Sequence, residues 1–166
     1  PAGPEGPTPK DLDIYRKLSG NNPDVNIVNS SAVMDSMRAV KDEVELAKMR
    51  KAIEITFDGL RAAIATARPG ATEFQVAAAL DGAFRKHGAL RHAFDPIVGC
   101  GDHSTTLHYP IPSDRVLKSG DLLVLDVGAE FEGYAADITR TIPIGGVFSP
   151  EQRKVYETVL AAQQAG

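Results

Sequence analysis

The chain has 166 residues, a formal net charge of -4, 43% hydrophobic and 24% charged residues, the balance of an ordinary globular domain. Its 18 basic residues are scattered among 22 acidic ones, so no basic stripe offers itself to a phosphate backbone and no nucleic acid partner is expected. No apolar run approaches the roughly 20 residues of a membrane span, and the lone Cys100 rules out an internal disulfide framework, so a soluble cytoplasmic protein with no membrane partner is expected.

Residues 1 to 9 hold four prolines and two glycines and read as a loop or linker. Leu12, Tyr15 and Leu18 suggest a short helix over Lys10 to Leu18, closed by Gly20 and Asn21-Asn22-Pro23. Val25 to Val28 is a brief strand candidate, and Ser30 or Ser31 caps a second short helix carrying Val33, Met34 and Met37. Residues 1 to 38 are too few for a core and are expected to be the tail of an amino-terminal domain plus linker. The start at Pro1 and the stop at Gly166 suggest a piece of a longer polypeptide.

A long amphipathic helix is predicted from Asp42 to Arg68, with Val44, Ala47, Met49, Ile53, Phe57, Leu60 and Ile64 near helical spacing and Pro69-Gly70 as its stop. Thr72 and Gln75 form a capping-box pattern ahead of a second helix that buries Phe74, Val76, Ala79, Leu80 and Phe84 and ends near Gly88. His87 and His92 read as surface residues of the following loop. Phe94 to Val98, Thr106 to His108, Leu122 to Ala129 and Tyr134 to Ile142 are strand candidates, and Ser149-Pro150 starts a last helix with Val155, Val159 and Leu160 facing inward. The expected class is α+β, an antiparallel sheet flanked by helices.

The segment from Leu122 to Gly128 is apolar on both sides of the pleat yet contains Asp126. With Phe131 and Glu132 at the tip of a tight hairpin, Asp126 stands directly opposite Asp137, the side-chain roots about 5 Å apart. Like charges at that distance repel unless a cation lies between them, and facing carboxylates can hold two divalent ions roughly 3.5–4 Å apart, the separation that activates a water for hydrolysis. The alternative is that both aspartates bond to Thr139, Arg140 or backbone groups near the hairpin end. A register slip of one residue would send one carboxylate to the other face.

The string Asp126-Val-Gly-Ala-Glu-Phe-Glu-Gly-Tyr134-Ala-Ala-Asp137-Ile-Thr-Arg140-Thr-Ile-Pro143 resembles the aminopeptidase P and prolidase family. Ile97-Val-Gly-Cys-Gly101, Leu107-His108-Tyr109 and Leu117-Lys-Ser-Gly-Asp121 match the same pattern. The resemblance implies a pita-bread fold, of which residues 39 to 166 would be the first half. It implies that Asp126 binds one metal ion, that Asp137 bridges two, and that His108 lies outside the metal ligands and contacts the substrate carbonyl or helps stabilise the tetrahedral intermediate. His103 would border the cleft, while Tyr134 and Arg140 would support the site from behind. Phe94 departs from the tyrosine frequent in relatives, so that hydroxyl is missing. A histidine and two glutamates would complete the metal set from a later stretch of the polypeptide. The implied activity is hydrolysis of Xaa-Pro bonds at peptide N-termini with two divalent ions, manganese first and cobalt or zinc as alternatives. A homo-oligomer is the expected assembly. Methionine aminopeptidase, which shares the two aspartates, and a non-catalytic pita-bread binding protein are the competing readings.

Overall fold

The computed structural model describes residues 10–22, 24 and 26–166, so the loop expected over residues 1 to 9 and the Val25 end of the strand candidate lie outside the described residues. The contacts divide the chain into two units, Pro1–Lys41 and Asp42–Gly166.

The first unit holds α1 (Lys10–Asn21) and α2 (Ser31–Ala39), neither with a buried residue. Helix α1 runs through Gly20 rather than closing there, and the Asn22 amide donates to the Leu18 carbonyl at its end. Residues 26 to 28 form no strand. At the start of α2 neither serine side chain caps the helix; Asn29 Oδ1 accepts from the Ser31 N–H at 2.8 Å.

The second unit begins with α3 (Glu43–Thr66), whose cap is a reciprocal box between Asp42 and Glu45. Helix α4 (Glu73–Lys86) starts in the box between Thr72 and Gln75. The buried stripe of α3 is Ala52, Ile55, Thr56, Gly59, Leu60 and Ala63, whereas Val44, Ile53, Phe57 and Ile64, expected to face the core, remain exposed. The reason is close helix packing: a Cβ at Gly59 would run into the Phe84 ring, so α4 seats its largest side chain against the smallest surface of α3. On α4 the core residues are Val76, Leu80 and Phe84, while Phe74 points to solvent.

Six strands follow: β1 (Arg91–His92), β2 (Ile97–Cys100), β3 (Leu122–Val127), β4 (Ala129–Phe131), β5 (Tyr134–Ala135) and β6 (Ile138–Pro143). They form two three-stranded antiparallel sheets, ordered β1-β4-β5 and β2-β3-β6. β3-β4 and β5-β6 are the two arms of one hairpin, because the register that pairs Phe131 with Tyr134 also pairs Val127 with Ile138. Its tip is Glu132-Gly133, both at positive φ (48° and 86°), the conformation of a two-residue turn that matches strand twist. The tip therefore lies one residue later than the sequence suggests, and the pairing slides by two: Asp126 faces Thr139. A slip of two preserves the faces of the pleat, so Asp126 and Asp137 still share one.

Leu123, Leu125 and Val127 alternate inward to the core with Val98, Ile55, Leu60 and Leu80. Where β3 gives way to β4, the Ala129 N–H donates to the buried Thr56 hydroxyl at 2.9 Å, and that hydroxyl donates to Ala52 O at 2.8 Å. The helix thus satisfies a buried backbone donor at the seam between the sheets.

Thr106 to His108 is a turn, not a strand, because a 3-10 helix (Gly101–Thr105) and a left-handed His108 (φ 51°) interrupt extended backbone. His92 is likewise no surface-loop residue. It belongs to β1, tilts against Phe84 with ring centroids 5.1 Å apart, and contacts Asp81 Oδ1 through Nε2 at 3.2 Å. His87 caps α4 and meets Asp58 at 3.3 Å. Cys100 is fully buried, as expected of a small hydrophobe, and burial first, then the Asp121 carboxylate, pushes its thiol up to about 12. The last helix, α5 (Pro150–Ala165), has a Ser149–Gln152 capping box but no buried residue. Val155 and Val159, expected inside, are 64% and 63% exposed. They and Leu160 line an open groove against Leu122, Thr139 and Thr141.

Candidate active site

Asp126, Thr139 and Asp137 project from the face of the hairpin that turns away from α3 and α4, since the residues alternating with Asp126 on β3 are the buried ones. Ile97 of β2 flanks Asp126 on the other side. The Thr139 hydroxyl donates to Asp126 Oδ1 at 2.8 Å, which fixes the rotation of that carboxylate. The position across from Asp137 is Gly128, so Asp137 and Asp126 are diagonal neighbours whose carboxyls converge over a residue without a side chain. A Cβ at Gly128 would collide with the Ala136 carbonyl and come within 3.0 Å of the Phe94 ring. Partial desolvation first, and then the charge of Asp126 and a hydrogen bond to it, push the Asp137 carboxyl above its ordinary value. The two groups together hold more negative charge than the face readily accommodates.

A bulge brings further groups to the same place. Five residue steps from His92 to Ile97 span only three from Ala129 to Asp126, so two extra residues loop out of the first strand pair. Phe94 and Asp95 lie in that bulge and line a cleft of about 450 Å³ with Ile97, His108, Tyr109, Pro110, Asp126 and Asp137. Three residues singled out in the sequence, His108, Asp126 and Asp137, are thereby gathered in one cavity.

The other three are placed elsewhere. His103 sits in the 3-10 helix, its ring stacked on Tyr109 at 4.5 Å, and is not among the residues lining the cleft. Tyr134 lies on the helix side of the hairpin, where its hydroxyl donates to Glu45 Oε1 at 2.8 Å and Lys48 Nζ approaches its ring. Arg140, paired with the inward Leu125, donates to the Thr139 carbonyl and lies over Phe57 at 5.9 Å, rather than joining an acidic group. Period-two alternation accounts for both, since each is three residues from Asp137 and so on the opposite face.

Glu73, which the sequence did not single out, is fully buried at the first position of α4. Its carboxylate accepts from the N–H groups of Cys100 (2.8 Å) and Ser113 (2.9 Å), the Ser113 hydroxyl (2.8 Å) and the Tyr109 hydroxyl (3.1 Å). His103 Nδ1 lies 2.9 Å from it. Burial opposes the charge, but the bonds from Cys100, Ser113 and His103 outweigh it and hold the carboxyl below its usual range. A signal was present: Glu73, Val76, Leu80 and Phe84 share one helical stripe, a charge in line with the core.

Among the described residues no group of three or more His, Cys, Asp or Glu is placed to hold a metal ion. The donors present fit part of a hard-cation site: two converging carboxylates, one pre-oriented by a threonine and the other with a raised proton affinity that a cation would relieve.

Metallopeptidase family M24 matches residues 47–166. The Xaa-Pro aminopeptidase of Escherichia coli (strain K12) is 36% identical over 151 residues, covering 90% of this chain and 34% of that protein. The crystal structure of X-Pro aminopeptidase from Thermotoga maritima superposes with a TM-score of 0.85 at 39% identity, covering 92% of this chain and 42% of that one. The prolidase from Pyrococcus horikoshii gives 0.85 at 33%, covering 98% and 45%. The chain thus spans about a third of the length of the curated relative, and its α+β architecture is part of the pita-bread fold of these peptidases. The chain belongs to metallopeptidase family M24.

Proposed function

We propose that the polypeptide carrying this chain is a metal-dependent exopeptidase that hydrolyses Xaa-Pro bonds at peptide N-termini, with Asp126 and Asp137 supplying part of a dinuclear site. The observation that carries the reading is the convergence of His108, Asp126 and Asp137 on one cleft. Relatives named Xaa-Pro aminopeptidase and prolidase support the substrate class.

In this reading Asp126, rotationally fixed by Thr139, and Asp137 would together hold the divalent ions. Bound there, the ions supply Lewis acidity and lower the pKa of a water. The chain's own residues position and stabilise. His108 donates a hydrogen bond to the negative charge that develops on the scissile carbonyl oxygen. Phe94, Ile97 and Pro110 form an apolar wall that limits water beside the reacting bond. A histidine and two glutamates from the rest of the polypeptide complete the ligand set. Manganese is the first candidate ion, cobalt or zinc the next, and a cytoplasmic homo-oligomer is the proposed setting.

Full-length protein assayed on an Xaa-Pro peptide before and after chelation tests this. Activity lost on chelation and restored by a divalent ion is the expected result. Undiminished activity in excess chelator, or two ions retained with native affinity by Asp126→Asn, would sink the assignment.

A further inference from the structure

The segment from Gly101 to Ser113 carries His108 into the cleft, yet it is mostly irregular. After the 3-10 helix the chain turns at Leu107 and His108 and continues without a strand to the bridge at Val116. His108 itself is exposed and left-handed at φ 51°, a conformation unfavourable for a residue with a Cβ unless its surroundings impose it. The bonds on either side of it converge on Glu73. Its acceptor contacts fall at Cys100 and His103 before His108, and at Tyr109 and Ser113 after it. A carboxylate only accepts, so His103 Nδ1 carries the proton in that contact. The same end of α4 adds two backbone bonds, from Glu73 N to Arg115 O at 3.2 Å and from Phe74 N to Ser113 O at 3.0 Å.

We infer that Glu73 is the positioning residue of the cleft: through His103, Tyr109 and Ser113 it fixes the backbone on both sides of His108 and so sets where that imidazole meets the substrate. The inference rests on the peptidase reading above and deepens it, since Glu73 neither lines the cleft nor touches Asp126 or Asp137. A carboxylate suits the task because every group it meets donates. A glutamine would turn part of its surface into donors that face donors, loosening the loop at nearly constant volume. The hairpin bearing the aspartates is also held by its own pairing of β3 with β6 and by Thr56, so loosening the loop should leave the metal ligands in place.

The test is steady-state kinetics on the metal-loaded full-length protein with an Xaa-Pro peptide, in four forms: wild type, Glu73→Gln, His108→Ala and the double variant. Glu73→Gln should lower kcat about 100-fold, the scale of a group misplaced by an ångström, with KM and metal content unchanged. In the His108→Ala background the same change should have no further effect, because a residue acting through His108 has nothing left to position. His103→Ala and His103→Asn provide a second arm should Glu73→Gln fail to fold: alanine should lower kcat, and asparagine, whose amide N–H can replace Nδ1–H, should restore it. Independent, multiplicative losses from Glu73→Gln and His108→Ala would overturn the inference, as would full kcat in His103→Ala. A wild type with no Xaa-Pro activity would overturn the peptidase reading and this inference with it, whereas an active wild type with multiplicative losses overturns this inference alone.

Discussion

The two faces of the hairpin, made from the same residues in alternation, do different work. Leu123, Leu125 and Val127 face the helices and are completely buried, whereas Asp126, one residue away, faces an open cleft together with Asp137. Pleating puts stability and chemistry on one strand without either constraining the other, because consecutive side chains never share a neighbour. If the separation holds, substitutions on the helix face change how much protein is folded, and substitutions on the cleft face change what the folded protein binds.

The largest effect is expected from Leu125→Ala, which leaves a cavity in the buried core and should lower unfolding free energy by about 3–4 kcal/mol. Denaturant titration of the full-length protein checks it. Metal content per folded molecule should stay at the wild-type value, and a loss of metal in parallel would break the division between faces. Thr56→Val comes next. It preserves shape but strands the Ala129 N–H at the seam, with an expected loss of about 1–3 kcal/mol by the same titration.

On the cleft face, Thr139→Val removes the hydroxyl that orients Asp126 while keeping the branched side chain in the strand. Metal affinity measured by calorimetry should fall about 10–100-fold with unfolding midpoint unchanged, and a shifted midpoint with intact affinity would invert the comparison. The smallest effect is one of pH. Because the Asp137 carboxyl holds its proton more tightly folded than unfolded, its contribution to stability is present below the ordinary carboxylate value of 3.8 and is lost as pH rises through the raised folded value. Melts of chelator-treated protein across that acidic window should therefore slope downward with pH more steeply in wild type than in Asp137→Asn. Parallel profiles would show that the two carboxyls do not sense each other.

The sequence disclosed the parts of this molecule that depend on short-range pattern. The capping box at Thr72 and Gln75, the helix pair and the hairpin follow from spacing alone, and the shared face of Asp126 and Asp137 survived a turn placed one residue off because alternation absorbs a two-residue slide. The same alternation already separates Tyr134 and Arg140 from Asp137. Long-range packing was harder to read. On α3 the largest apolar residues suggested the core stripe, but the neighbour turned out to be Phe84, which selects the small residues around Gly59. His108 reaches the cleft on a turn, not on the expected strand, and the next residue, Tyr109, bonds to the distant Glu73. No local pattern reports a bond spanning 36 residues, although a glutamate on an apolar stripe marks one end of it.

Gly128 contributes to the site by the volume it leaves empty. Ala136 and Phe94 close on it from two sides, and the carboxylates meet above it, so every other residue type demands that one of these neighbours retreat. In a scan of tolerated substitutions, position 128 should consequently be as intolerant as Asp126 and Asp137, although it supplies no side-chain atom to bind or react.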